Sequence, residues 1–88
     1  LSQNYPNPFN PFTVISYALE KDGLVNLSIF DMAGNIVKTL VNSSQTAGYK
    51  SIEWNATNNQ NEPVSAGLYL YRVILGELSE TKKMVLLK

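Results

Sequence analysis

Glycine and proline divide this sequence into apolar segments of strand length, and this spacing limits its fold more than any other feature. Inside the segments, apolar and polar residues alternate with the period of two that a strand with one buried face requires. Residues 68–75 are almost entirely apolar, but their short length, aromatic and β-branched residues and flanking glycines favour a buried strand over a helix. We count six or seven strands at intervals of roughly 8–12 residues. The predicted fold is therefore all-β, a sandwich of about seven antiparallel strands.

The same alternation predicts which side chains fill the core of the sandwich. Trp54 is the only tryptophan and is expected to anchor this core, where its indole N–H needs a hydrogen-bond partner. The expected core residues are Ile15, Tyr17, Val25, Leu27, Ile29, Ile52, Trp54, Tyr69 and Tyr71.

Polar segments predict how the strands are connected. Asp22-Gly23 predicts a tight hairpin, because this dipeptide readily adopts positive φ angles. Asp31 opens a turn in which its carboxylate is expected to accept backbone amides, rather than to bind calcium, which takes about six to eight oxygen ligands. Residues 42–46 are predicted to form a polar loop. Residues 55–63 contain four asparagines and are predicted to be the longest irregular segment after the N-terminal loop.

Residues 4–11 contain three prolines, each of which lacks an amide donor and favours extended geometry in the residue before it. We therefore expect an ordered or semi-rigid opening loop rather than a helix. Its aromatic residues Tyr5 and Phe9 either cap one open end of the sandwich or contact a preceding domain. We divide the chain into residues 1–12, a loop packed on or linking to an upstream domain, and residues 13–88, the sandwich. The chain is interpreted as part of a longer protein.

Charge and composition exclude several classes of function. Lysine and arginine number 7, as do aspartate and glutamate, so the zero formal charge gives no cationic field for nucleic acid or anionic lipid. The absence of cysteine and histidine rules out disulfides, imidazole or thiolate zinc sites and catalysis that needs either residue. The longest apolar stretch, residues 84–87, is too short for a membrane span. Glu53, Glu62, Glu77 and Glu80 are scattered through solvent-facing positions. We expect no catalytic, metal or cofactor site, and no enzyme activity.

Lys82, Lys83 and Lys88 form the only compact basic cluster of the sequence. In a structural interpretation, these lysines keep an edge strand from pairing with other chains. In a functional interpretation, a receptor binds the basic strand by strand addition and charge pairing. The physical character of the residues leaves both interpretations open.

Motifs with a distinctive arrangement lie throughout the chain. They comprise residues 1–11 followed by Thr13, Ile15 and Tyr17, then residues 29–37, Ala47-Gly48, Trp54, residues 63–72 and residues 82–88. Together these motifs resemble the type A C-terminal sorting domain of the bacterial type IX secretion system. The middle of the chain also resembles the Ig-like domain of the flagellar hook-capping protein FlgD. The resemblance implies an immunoglobulin-like sandwich at the C-terminus of a secreted protein.

The resemblance also implies that the domain is a secretion signal without catalytic activity. In this family the outer-membrane translocon recognises the domain, and a sortase-like peptidase usually removes it. The upstream cargo, commonly a hydrolase or peptidase, passes through the periplasm and outer membrane and reaches the cell surface or the medium. Lys82, Lys83 and Lys88 match the basic terminal motif and are the candidate residues for translocon recognition.

The chain departs from the family after Trp54, where asparagines replace the carboxylates of relatives. This weakens the idea of a metal in that loop, and Asn61 can replace a glycine because asparagine tolerates positive φ. Two other functions stay open at this point. An accessory carbohydrate-binding module of a secreted enzyme requires an exposed coplanar row of aromatic residues. A structural spacer or assembly domain predicts that removing the terminal lysine motif leaves export intact.

Overall fold

The computed structural model describes residues 1–87, and every regular element within them is a β-strand. No helix that could cross a bilayer occurs in this part of the chain. The all-β prediction is confirmed, with six strands where the sequence predicts six or seven. The strands are β1 (Thr13–Leu19), β2 (Gly23–Phe30), β3 (Ile36–Gln45), β4 (Gly48–Trp54), β5 (Gly67–Leu75) and β6 (Leu78–Leu86).

The strands form two antiparallel sheets that share one core. β1 pairs with β4 in the smaller sheet, and the larger sheet has the order β3-β2-β5-β6. Trp54 lies in this core, with its ring centroid 5.7 Å from that of Phe9 and 5.4 Å from that of Tyr69. Its Nε1–H donates to the Thr57 carbonyl at 2.9 Å. The buried indole therefore has both apolar neighbours and the hydrogen-bond partner that the sequence requires.

Eight of the nine predicted core residues are buried. The exception, Ile52, is half-buried, because β4 is an edge strand of the narrower sheet and no strand of residues 1–87 pairs with its far side. Val73, Met84 and Leu86 of the larger sheet complete the core on that side. Alternation thus locates the core, and the position of a strand in its sheet decides how completely each residue is covered.

The hairpin predicted at Asp22-Gly23 is wrong. β1 and β2 lie in different sheets, so the residues between them cross from one sheet to the other, and Gly23 does not have a positive φ. The Asp22 carboxylate instead accepts a hydrogen bond from the backbone N–H of Ala47 at 2.8 Å, which joins the crossover to the β3–β4 connection. An Asp-Gly pair can occur in a hairpin turn or in a crossover between two sheets. Contacts between distant residues decide which strands pair.

The polar loop predicted for residues 42–46 is also wrong, because β3 continues to Gln45. Asn42 pairs with Asn26 of β2 in the antiparallel register. β3 is an edge strand, and its polar side chains in this part are largely exposed to solvent. An edge strand can have the composition of a loop, because one side of its backbone and one row of its side chains contact water.

Residues 1–11, called the opening segment below, run between β1 and β6 and join the two sheets along one side. Tyr5 exchanges two backbone hydrogen bonds with Val14, at 2.9 and 3.0 Å. The Phe9 N–H donates to the Val85 carbonyl at 3.0 Å, and the Phe9 carbonyl accepts from the Leu87 N–H at 2.8 Å. The segment is non-helical, as predicted, and the Phe9 ring belongs to the core.

Candidate recognition surface

The two described lysines of the terminal motif point in opposite directions. Lys82 and Lys83 are neighbours on β6, where successive side chains point to opposite faces of the sheet. Lys82 pairs with Tyr71, in the row that faces the core, and is half-buried. Lys83 pairs with Leu70 on the other face and is exposed. Lys88 lies outside the described residues. Of the described pair, Lys83 therefore has its side chain open to solvent.

The edge of β6 beside these lysines is occupied by the opening segment. Gln3 Nε2 donates to the Lys83 carbonyl at 2.9 Å, and Asn7 Oδ1 accepts from the Val85 N–H at 3.0 Å. Together with the bridge to Phe9, these contacts use backbone groups that a receptor strand would otherwise bind. Strand addition to this half of β6 therefore requires that the opening segment first leave the edge.

A buried polar cluster fixes the opening segment to the sandwich. Asn4 is buried, its N–H donates to the Tyr71 hydroxyl at 2.8 Å, and its Nδ2 donates to Thr13 Oγ1 at 3.0 Å. The Tyr71 hydroxyl donates in turn to the Ser2 carbonyl at 2.9 Å. Burial raises the pKa of Tyr71, and the hydrogen bond from Asn4 partly opposes this shift. Sequence reasoning missed Asn4, because no local signal distinguishes it from the exposed asparagines of the same segment.

The side of the four-stranded sheet that faces away from the core is called the outer sheet face below. Its residues alternate with the core residues along each strand, and the pairing registers align them across the sheet. The Cζ of Arg72 lies 4.9 Å from the centroid of the Phe30 ring, and its Nε donates to Thr81 Oγ1 at 3.2 Å. Arg72 therefore connects β2, β5 and β6 on this face. Sequence reasoning missed this contact, which depends on the register of three strands.

The turn after β2 confirms the predicted role of Asp31. Its Oδ1 accepts hydrogen bonds from the backbone N–H groups of Ala33 at 3.0 Å and Asn35 at 2.9 Å, and its Oδ2 accepts from Asn35 Nδ2 at 3.2 Å. These bonds, chiefly those from Asn35, hold the pKa of the Asp31 carboxyl below its usual value. The turn that this carboxylate shapes brings Ile36 opposite Phe30.

Residues 55–63 are irregular, as predicted, and a lysine from β3 reaches into them. Lys38 Nζ donates to the Asn58 carbonyl at 3.1 Å and to Asn61 Oδ1 at 2.9 Å. Asn61 has a φ of 61°, which confirms that it occupies a left-handed position. The ammonium group of Lys38 thus places a positive charge beside this loop. Across residues 1–87, no group of three or more His, Cys, Asp or Glu side chains is placed to hold a metal ion.

The four glutamates considered for catalysis lie on separate elements. Glu53 lies on β4, Glu62 lies in the loop before β5, and Glu77 lies in the β5–β6 turn. Glu80 lies on β6, where its carboxylate is 3.6 Å from the amino group of Leu1. Within residues 1–87, no three of these carboxylates are grouped closely enough to share a metal ion.

Two tyrosines beside the smaller sheet extend into solvent. Tyr5 is 81% exposed and bridges to β1, and Tyr49 is 94% exposed and pairs with Ala18. A shallow depression of about 380 Å³ lies beside Tyr49, with Ser16 and Ser51 in its lining. The core contains the aromatic rings of Phe9, Tyr17, Trp54, Tyr69 and Tyr71.

Residues 10–75 match the model of a protein family described as the FlgD Ig-like domain. Among curated protein sequences, none matches the chain. Solved structures that match the chain include proteins from two bacterial systems. Dimeric latent PorU from Porphyromonas gingivalis matches 97% of the chain with 20% identity and a TM-score of 0.76. PorZ from the same organism, described as an essential bacterial surface component of the type IX secretion system, matches 98% with 19% identity and a TM-score of 0.68.

FlgD from Xanthomonas campestris, a protein involved in hook capping in flagellar assembly, matches 90% of the chain with 24% identity and a TM-score of 0.66. The chain spans 9% of the PorU chain, 11% of the PorZ chain and 58% of this FlgD chain. At these identities, the likeness establishes a shared fold.

Proposed function

The chain belongs to the FlgD Ig-like domain family, and we propose that it is a non-catalytic C-terminal secretion signal that directs an upstream cargo protein through the type IX secretion system. The proposed destination is the cell surface or the medium. The proposed partners are the outer-membrane translocon, a sortase-like peptidase and the upstream domain of the same polypeptide. The occurrence of the same fold in PorZ, a surface component of that system, supports the proposal. The observation that carries the proposal is the exposed side chain of Lys83, within the motif that resembles the basic terminal motif of the sorting domain.

In the proposed mechanism, the folded domain presents its charge to the translocon. Lys83 is exposed, so its stem can lie over the sheet while its ammonium stays in water, and it contributes little to folding. At an interface, a positioned cation pairs with a carboxylate and influences both the capture rate and the register of docking. The opening segment covers the adjacent backbone edge, so the charge is presented without an open strand that invites aggregation.

Secretion of a fusion protein tests this proposal. The chain is fused to the C-terminus of a reporter that is delivered to the periplasm of a type IX-competent bacterium. The control is the same reporter without the domain. We expect the fusion to reach the surface or the medium and the bare reporter to stay in the periplasm. Export of the bare reporter at the level of the fusion would contradict the sorting function.

A second set of variants tests the role of the terminal motif. Lys82→Gln, Lys83→Gln and Lys88→Gln are combined in one fusion, and its melting temperature is compared with that of the original domain. We expect the triple variant to fold normally and to be exported poorly. Equal export of the two folded proteins contradicts the claim that the translocon recognises these lysines. A spacer or assembly role is favoured if the bare reporter is exported equally as well.

A carbohydrate-binding module is the second candidate function, and the exposed rings of Tyr5 and Tyr49 favour it. An aromatic ring in solvent offers an apolar face on which a sugar ring can stack, and the depression beside Tyr49 offers hydroxyl groups. A glycan array and polysaccharide pull-down with the purified domain test this function. Binding that Tyr49→Ala abolishes supports it, and the absence of binding to any glycan rejects it.

A further inference from the structure

The outer sheet face has an apolar row that meets solvent. Ile36 of β3, Phe30 of β2 and Leu70 of β5 lie side by side across three strands, and the row ends at Lys83 of β6. Ile36 is 57% exposed, and Leu68 on the same side of β5 is 49% exposed. Contiguous apolar side chains on a surface mark interaction sites, whereas apolar residues that are exposed singly are ordinary. This row is therefore a candidate for contact with a partner.

The charges on this face have one sign. Arg72 and Lys83 are the charged residues that the four strands place on it, within residues 1–87. Glu80 is the only acidic residue of these strands, and it pairs with the buried Val73 in the row that faces the core. Two copies of this face would repel each other, whereas a partner with a carboxylate is attracted. Charge complementarity therefore selects an acidic partner over a second copy of the chain.

Arg72 is already held in a position suited to a carboxylate. Its guanidinium stacks on the ring of Phe30, and its Nε donates a hydrogen bond to Thr81 Oγ1. Because Nε makes that bond, the two Nη groups can donate to a carboxylate as a bidentate pair. A side chain that is held in place before binding loses less conformational entropy when its partner arrives.

We propose that the outer sheet face around Leu70, Arg72 and Lys83 docks on a translocon element whose carboxylate is flanked by apolar side chains. This inference rests on the sorting function proposed above and specifies the chemistry of the partner. The opening segment occupies the adjacent edge of β6, so the partner lies over the face and does not extend the sheet. Lys82 lies in the opposite row and takes no part in this docking.

An anionic membrane is the other surface that a basic and apolar face could meet. Attachment to anionic lipids commonly uses clusters of about four to eight lysines or arginines. The outer sheet face has Arg72 and Lys83, and the formal charge of the whole chain is zero. This small charge favours a protein partner, which needs only a few well-placed ion pairs.

The adjacent lysines provide a matched pair of variants for the reporter fusion. Lys83→Glu and Arg72→Glu are each expected to lower export about tenfold, because each replaces an attraction by a repulsion. Lys82→Glu makes the same charge change one residue away, on the opposite side of the sheet, and is expected to change export less than about twofold. The variants are compared at equal expression, after their melting temperatures have been shown to match that of the original domain.

A photo-crosslinking side chain locates the partner directly. When it replaces Leu68 on the outer sheet face, we expect a crosslink to an outer-membrane component of the secretion system. When it replaces Tyr49 on the smaller sheet, we expect no such product. The crosslinked segment of the partner is expected to contain an acidic residue beside apolar ones. A segment without a carboxylate overturns the charge argument.

The possible outcomes separate this inference from the function on which it rests. If the bare reporter is exported as well as the fusion, the sorting function itself fails. If only the fusion is exported and Lys83→Glu behaves like Lys82→Glu, the sorting function stands and the docking face is wrong. Binding of the purified domain to phosphatidylglycerol vesicles, if Lys83→Glu abolishes it, identifies a lipid partner and also overturns the inference.

Discussion

The two sides of the four-stranded sheet are both rich in apolar residues, but their surroundings differ. On the core side, Ile29, Tyr71 and Met84 have no exposed surface. On the outer side, Phe30 and Leu70 are half-buried and meet solvent. The members of the two sets are neighbours in sequence, so hydrophobicity alone does not distinguish them. Strand alternation therefore separates residues that stabilise the fold from residues that a partner can reach, within a single step along the chain.

The largest effect is expected on the core side, at Trp54. Trp54→Ala is predicted to lower the free energy of unfolding by about 3–5 kcal/mol, because it removes the contacts with Phe9 and Tyr69 and leaves a cavity. That loss is comparable to the whole stability of many small domains. Urea unfolding followed by circular dichroism measures it. A loss below about 1 kcal/mol would show that the core collapses around the missing ring and that Trp54 contributes little to stability.

A smaller loss is expected where the core side meets the opening segment. Tyr71→Phe leaves the Asn4 N–H and the Ser2 carbonyl without their partner and should cost about 1–2 kcal/mol. The matched control is Tyr17→Phe, which removes a hydroxyl that bonds to the Gln45 side chain. Hydrogen exchange of the Asn4 amide should accelerate in Tyr71→Phe and not in Tyr17→Phe. Equal acceleration in both variants would mean that the Tyr71 hydroxyl does not hold the segment.

Alkaline pH should weaken the same contact without a mutation. Burial raises the pKa of Tyr71 above its ordinary value of 10.0, so the unfolded chain gives up this proton before the folded one. The contribution to stability is complete below pH 10.0 and is lost as the pH rises through the raised folded pKa. Tyrosinate absorbance and unfolding measurements on the original domain and Tyr71→Phe test this. Identical pH dependence of stability in the two proteins contradicts it.

The turn at Asp31 links the core side to the outer side, because it fixes Ile36 beside Phe30. The folded pKa of Asp31 lies below its ordinary value of 3.8, so its stabilising effect is present above that pH and is lost as the pH falls through the folded pKa. Asp31→Asn should therefore melt at a lower temperature than the original domain at neutral pH, and the two should converge in acid. A difference that persists unchanged in strong acid contradicts this assignment.

The smallest effect on stability is expected on β6, at the two lysines. Lys82→Gln and Lys83→Gln should each change the free energy of unfolding by no more than about 0.5 kcal/mol, because each ammonium can stay in water while its stem lies over the sheet. Thermal melting of the two single variants measures this. A clear destabilisation by Lys83→Gln would place that side chain among the groups that hold the sheet, and it would weaken the case for recognition.

The sequence predicted those features that local interactions decide. Trp54 sits in the core because alternation fixes the face of a strand, and Asp31 accepts its own turn amides because the partners are within four residues. Asn61 adopts a positive φ because its side chain tolerates the left-handed region. Each of these features depends on a few neighbouring residues, so the pattern alone was sufficient.

Features that depend on distant residues were missed. Asp22-Gly23 has the composition of a hairpin turn, yet its strands lie in different sheets because β1 pairs with β4. Asn42 has the composition of a loop residue, but pairing with Asn26 places it in a strand. On the candidate surface, Lys82 and Lys83 were predicted as one cluster, although they point to opposite faces of β6. The contact of Arg72 with the Phe30 ring was out of reach, because it requires the register between β2 and β5.

The opening segment also determines when the domain can be completed during synthesis. Phe9 is synthesised before its backbone partners Val85 and Leu87, which follow it by 76 and 78 residues. Until then, the side of the core that Phe9 covers has no β6 to close it. A product truncated before residue 82 therefore lacks both the backbone partners of Phe9 and the lysines of β6. Completion of the sandwich and presentation of the basic strand thus both require translation to the end of β6.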